Sequence, residues 1–164
     1  MPDTALTLGT MVVRLLAAVG LGAVVGAERE FVGKDAGIRT EIMVAAGAAV
    51  FTMAGISLPY IVSLDAANLR DVLARNSGPF MLVANVVVGV GFLGAGIIVR
   101  QGTHVYGLTT AATIWFVAAI GVLCGMGMLQ FAGVAAVGIA ALLFLLRRFG
   151  ATPFGSQRST PPSD

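Results

Sequence analysis

Charge is scarce in this chain: only 11% of its 164 residues are Asp, Glu, Lys or Arg, while 57% are hydrophobic. An ordinary soluble chain is roughly a quarter charged. With a mean hydropathy of +0.94, a soluble domain is excluded, and lipid has to cover the apolar surface. The net charge is +2, with bases scattered among acids, so no electrostatic footprint for nucleic acid exists. Cysteine is limited to Cys124 and histidine to His104. That excludes a disulfide framework and a cysteine ligand pair for zinc. Cys124 lies in an apolar span and reads as a packing thiol, and His104 as a solvated loop residue. There is no Ser/His/Asp set, no HExxH and no phosphate loop followed by Lys. Neither an enzyme nor a cofactor is expected, and metal ligands are not specified.

The first residues lack a basic start and a cleavage signature, so they read as a retained span rather than a signal peptide. The expected fold is all-α: a polytopic membrane bundle of about five transmembrane helices over residues 1–149, with a disordered cytoplasmic tail at 150–164. The expected spans are 6–27, 38–58, 79–99, 108–126 and 128–146. Pro59 marks an exit or kink of the second. Residues 65–75 carry Leu69, Val72 and Leu73 at helical spacing among charges, which suggests a short interfacial helix. The 39 polar-poor residues from Leu108 to Leu146 are nearly twice one span and divide into two antiparallel helices at a tight turn.

The stretch from Asn85 to Arg100 stands out as the organising element. Of the 21 residues from Pro79 to Val99, Asn85 alone has a polar side chain, and Gly89, Gly91, Gly94 and Gly96 fall within eight positions. Gly89-x-Gly91-x-x-Gly94 matches a dinucleotide fingerprint literally, but it lies inside a hydrophobic helix rather than between a strand and a helix. Close helix packing is the better explanation of these glycines, of Gly22 and Gly26 with their GxxxG spacing, and of Gly107.

Four sets of polar residues are candidates for function. Arg14 sits about 21 Å above Glu28 at 1.5 Å per residue, roughly 9 Å short of the far boundary of a ~30 Å hydrocarbon core. It either snorkels to the interface or pairs with a polar group of another helix, for which Asn85 is one neutral candidate. The connector from Glu28 to Glu41 holds Glu28, Arg29, Glu30, Gly37, Arg39 and Thr40. It is either a solvated loop that sets topology or, with Arg100, a charge network. Glu41 in a first helical turn complements the helix dipole. Thr109 and Thr113 share a face beside Thr110, and serve either as helix glue or as the lining of a hydrated cavity.

Seven basic residues (Arg29, Lys34, Arg39, Arg100, Arg147, Arg148, Arg158) fall on one side of a five-span topology and two (Arg70, Arg75) on the other. The first side is expected to be cytoplasmic, with the amino terminus outside and the carboxyl terminus inside.

Gly26-Ala-Glu-Arg-Glu30, Ala36-Gly-Ile-Arg-Thr40, Gly91-Phe-Leu-Gly-Ala-Gly96 and Gly107-Leu-Thr-Thr-Ala-Ala112 with Trp115 resemble, in order and spacing, the membrane domain of the MgtC/SapB family. The resemblance runs from about Arg14 to Arg148. It implies a bacterial cytoplasmic-membrane protein of about five helices, linked to growth at low magnesium and to virulence through survival inside host cells. It also implies regulation by contact with other membrane proteins, the proton-driven ATP synthase among them. Two departures are visible. Family members often carry an Arg-Ile-Ala-Ala-Gln-like stretch where this chain has Met81-Leu-Val-Ala-Asn85, and many carry a soluble carboxyl-terminal domain that is not expected here. The expected partners are the bilayer, other membrane proteins, or further copies in a homo-oligomer. A small cation or proton transporter is the alternative. No carboxylate is expected within an apolar span, which counts against that alternative.

Overall fold

The computed structural model describes residues 6–62 and 78–149. Five helices follow in order: α1 (Leu8–Phe31), α2 (Ile38–Val62), α3 (Gly78–Ile97), α4 (Leu108–Met126) and α5 (Leu129–Arg148). Four of them are long and apolar enough to cross a membrane, and α3 contributes a shorter apolar stretch, Met81–Ile97. The architecture is therefore an all-α membrane bundle. The expected interfacial helix at 65–75 and the tail at 150–164 lie outside the described residues.

Each boundary has a local cause. Thr7 caps α1 by accepting a hydrogen bond from the Thr10 amide at 3.3 Å, which satisfies one of the amides a helix start leaves free. The chain leaves α1 through Gly33, at φ +67°. For α2, the cap comes from the preceding helix: the Glu30 carboxylate accepts from the Ile38 amide at 3.0 Å. Gly37 leaves room for this cap, because a methyl group there would lie 2.8 Å from that same carboxylate oxygen and displace it. Gly127, at φ +86°, closes α4. Its amide donates to Cys124 O and the Met128 amide to Leu123 O, both at 2.9 Å, the paired bonds of a glycine-terminated helix. Only Gly127 and Met128 separate α4 from α5, as the tight-turn expectation requires.

Three boundaries differ from the sequence reading. α1 continues through Glu28, Arg29 and Glu30 to Phe31, so these charges are held on a helix rather than in a connector. α2 carries Pro59 inside and continues to Val62. Val99–Gln101 and His104–Tyr106 form an antiparallel two-stranded ribbon, with Arg100 opposite Val105, where a loop was expected. Gly102, at φ +62°, sits at its turn.

The centre of the bundle is not the glycine-rich helix. α4 supplies Ile114, Val117, Ile120 and Cys124 to a core that it shares with Val25 of α1, Ala45 and Ala49 of α2, and Ala132 and Ala136 of α5. In α3, by contrast, Gly94 is the one buried position among residues 81–97. The physical reason lies in the partners. α4 brings its own close-approach glycines: a methyl group at Gly121 would collide with Ala45 O, and one at Gly125 would lie 2.8 Å from Ala49 O. Backbone-to-backbone proximity of this kind is what holds helices together where lipid replaces water.

Candidate functional site

The polar side chains gather at the two ends of the bundle. At one end, Arg14 of α1 donates from Nη1 to the carbonyl oxygen of Gly125 at 2.7 Å. The last carbonyls of a helix carry partial negative charge and lack intrahelical donors, so a guanidinium is well matched to them. A methyl group at Gly127 would lie 2.7 Å from Arg14 Nη2. Thr7, Thr10 and Val13 complete an open groove around this arginine. Arg14 is thus paired across helices, but with backbone rather than with Asn85.

At the other end, the carboxyl terminus of α1 meets the amino termini of α2 and α4. Arg29 is 4% exposed and grips its neighbour: its Nε and Nη2 both lie 2.5 Å from Glu28 Oε2. Glu41, in the first turn of α2, is 0% exposed. Burial dominates its surroundings, with Thr113 and Arg29 nearby, and neither carboxylate oxygen has a hydrogen-bond partner. The single Thr113 hydroxyl proton goes instead to Thr110 O, at 2.9 Å. Glu28 Oε1 is likewise buried without a partner. Room for Glu41 is made by α1: methyl groups would lie 2.8 Å from Glu41 O at Gly22, and 2.6 Å from the Ile38 Cα at Gly26.

The expected charge network is therefore smaller than the sequence suggested. Glu28, Arg29 and Glu41 cluster, and Glu30 with Gly37 forms the α2 cap. Arg39 is exposed and Thr40 half-buried. Arg100 turns back on its own ribbon, donating from Nε to Gly102 O at 3.0 Å. The threonines also divide differently: Thr110 and Thr113 face the interior, while Thr109 is exposed. A three-residue step follows the inner face of α4 better than the four-residue step does.

The expected packing glycines separate into three groups. Gly22 and Gly26 meet α2 as described. Gly94 makes ordinary contact with Ala111, with a methyl group there 3.5 Å from the Ala111 Cβ, and Gly107 is a turn residue at φ +81° pressed against Ile97 O. Gly89, Gly91 and Gly96 have nothing within 4 Å of a methyl position, so they pack against none of the described helices. Asn85 is exposed, on an apolar groove between α2 and α3 of about 430 Å³ that Val44, Phe51, Val86 and Leu93 help to line. Among the described residues, no group of three or more His, Cys, Asp or Glu could hold a metal ion.

Sequence reasoning missed the depth of Glu41 and the role of Gly121 and Gly125. Both were visible as patterns: a carboxylate three residues inside an apolar helix, and a second GxxxG spacing.

The MgtC family model matches residues 15–152. Protein MgtC of Salmonella typhimurium (strain LT2) is 43% identical over 136 residues, 83% of this chain and 52% of that protein. Protein MgtC of Brucella abortus (strain 2308) is 43% identical over 127 residues, 77% of this chain and 47% of its own length. The chain thus spans about half the length of the curated relatives it matches. No solved structure matches it. The family motifs sit on the surfaces just described, around the Glu28–Arg29–Glu41 cluster and along α3, and the chain belongs to the MgtC family.

Proposed function

We propose that this chain is a regulator in the bacterial inner membrane, linked to magnesium homeostasis and low-magnesium survival, which acts by touching other membrane proteins or further copies of itself. In this reading the amino terminus is outside and the carboxyl terminus cytoplasmic, and the proton-driven ATP synthase is one partner to test. The observation that carries the reading is the open face of α3. Among the described residues Gly89, Gly91 and Gly96 face nothing, Phe92 beside them is 85% exposed, and Asn85 is an amide at the lip of an apolar groove. Small residues that permit close approach, next to an amide able to bond across helices, are what a membrane contact surface uses. The test places a photo-crosslinking residue at Gly91 in magnesium-starved cells. Adducts with a second membrane protein or a second copy are expected, and their absence from a well-expressed protein would sink the reading.

The second reading is a small cation or proton transporter, and Glu41 favours it. Its carboxylate is fully buried among membrane-spanning helices, the kind of residue that marks ion and proton pathways. Ion or proton flux in liposomes, abolished by Glu41→Gln or Asn85→Leu, would support it. Tight vesicles over a range of ions and pH would remove it.

A further inference from the structure

Two carboxylates and one guanidinium are enclosed where α1, α2 and α4 meet. Counted as ionised, Glu28, Arg29 and Glu41 leave one negative charge without a counter-charge. Arg29 is committed to Glu28 through both Nε and Nη2, whereas both Glu41 oxygens are buried and unpartnered. Isolated buried charge is strongly unfavourable, and such a group is neutralised or paired. The surroundings of Glu41 are also close-packed. Gly22 and Gly26 have no space for even a methyl group against the α2 backbone, so α1 closes tightly over this turn of α2.

We propose that this cluster is a proton-binding site, in which Glu41 holds one proton as a neutral carboxylic acid and donates it to the oxygen of Thr113. The bonding of Thr113 fits that direction. Its own hydroxyl proton is donated to Thr110 O at 2.9 Å, which leaves only lone pairs for Glu41. An ionised carboxylate would meet those lone pairs unfavourably; a protonated one completes the chain from Glu41 through Thr113 to Thr110 O. Thr113 from α4 and Arg29 from α1 lie near Glu41, Arg29 with Glu28 bound to it and Thr113 bonded to Thr110 O. On its own helix Arg39 is exposed, and on α1 Glu30 is engaged with the Ile38 amide. Binding is simple protonation, carboxylate plus a proton from water, with no other reactant. Releasing the proton requires Arg29 to turn from Glu28 toward Glu41, or water to enter the seam, so occupancy is coupled to how α1, α2 and α4 are docked. The inference is independent of whether the chain regulates a partner or moves an ion.

Infrared spectroscopy of the full chain in lipid nanodiscs tests it. At neutral pH, a protonated-carboxyl C=O band that shifts in D₂O is expected in the wild-type protein. The band should vanish in Glu41→Gln, persist in Glu28→Gln, and move in Thr113→Val but not in Thr113→Ser. Gln has the shape of the neutral acid, so Glu41→Gln should retain wild-type helix content. The D₂O-sensitive band of the wild-type protein provides a readout that needs no variant. Absence of the band in wild-type protein at neutral pH, or its loss in Glu28→Gln instead of Glu41→Gln, would overturn the proposal. Neither result would bear on the crosslinking from Gly91.

Discussion

Arg14 and Gly125 stand 111 positions apart in sequence, yet the guanidinium of one donates to the carbonyl of the other at 2.7 Å. The bond ties the amino-terminal third of α1 to the last turn of α4. It also gives the free carbonyls of that turn a cationic partner, where the helix dipole favours one.

Removing that partner should loosen this end of the bundle. Arg14→Ala is expected to cost about 1.5–3 kcal/mol, the usual scale for a hydrogen bond to a charged group. Arg14→Lys should recover only part of it, because a single ammonium cannot reproduce the planar fork. Gly127→Ala should also destabilise, since it would place a methyl group 2.7 Å from Arg14 Nη2 at a φ of +86°. Reversible unfolding in mixed micelles measures all three.

Glycine-to-alanine substitutions should divide sharply by position. Gly22→Ala, Gly26→Ala and Gly121→Ala push a methyl group into a neighbouring backbone and should each destabilise the fold by about 1–3 kcal/mol, the range for overpacking. Gly89→Ala, Gly91→Ala and Gly96→Ala meet nothing. With no described neighbour in the way, they should leave the isolated protein intact or slightly stabilised, by up to about 1 kcal/mol from helix propensity. In cells the second set should weaken crosslinking at α3. Thermal melts and crosslinking yields, measured on the same six variants, check both halves.

How far the sequence alone reaches is visible in these same glycines. Composition and run length suffice for five apolar helices, and the tight turn after Met126 follows from a polar-poor stretch too long for one span. Which helix lies at the centre does not follow. Gly89, Gly91, Gly94 and Gly96 are the densest cluster, but density reports a capacity for close approach and not the presence of a neighbour. Gly121 and Gly125 have the same capacity, and it is α2, with Ala45, Ala49 and Thr52, that takes it up. Arg14 was recognisable as costly at membrane depth, but backbone carbonyls leave no trace in sequence as partners. Glu41 was placed in a first helical turn correctly; its burial depends on α1 and α4 arriving from elsewhere in the chain.

Arg29 should be among the least replaceable side chains. Arg29→Met leaves the Glu28 carboxylate enclosed without its counter-charge, and breaking one side of a buried pair costs about 3–5 kcal/mol. Adding Glu28→Gln to Arg29→Met should restore a large part of the loss, because the surplus charge is then gone. A double-mutant cycle by denaturant unfolding reads this directly, and simple additivity of the two changes would contradict it.

Glu30 should matter through the start of α2 rather than through its charge. Glu30→Ala removes the acceptor for the Ile38 amide and should cost about 0.5–2 kcal/mol, as lost helix caps do. Glu30→Gln retains an oxygen acceptor and should retain most of the stability. Amide hydrogen exchange at Ile38 should accelerate in the alanine variant and change little in the glutamine one.

The seam between α2 and α4 has a consequence for leakage. At Gly121 and Gly125 the two backbones stand too close for a methyl group, and a water molecule needs about a 1.4 Å probe radius of free space plus polar company. A file of waters therefore has no room along that contact. At these two glycines the α2–α4 contact is a dry seam, backbone set against backbone.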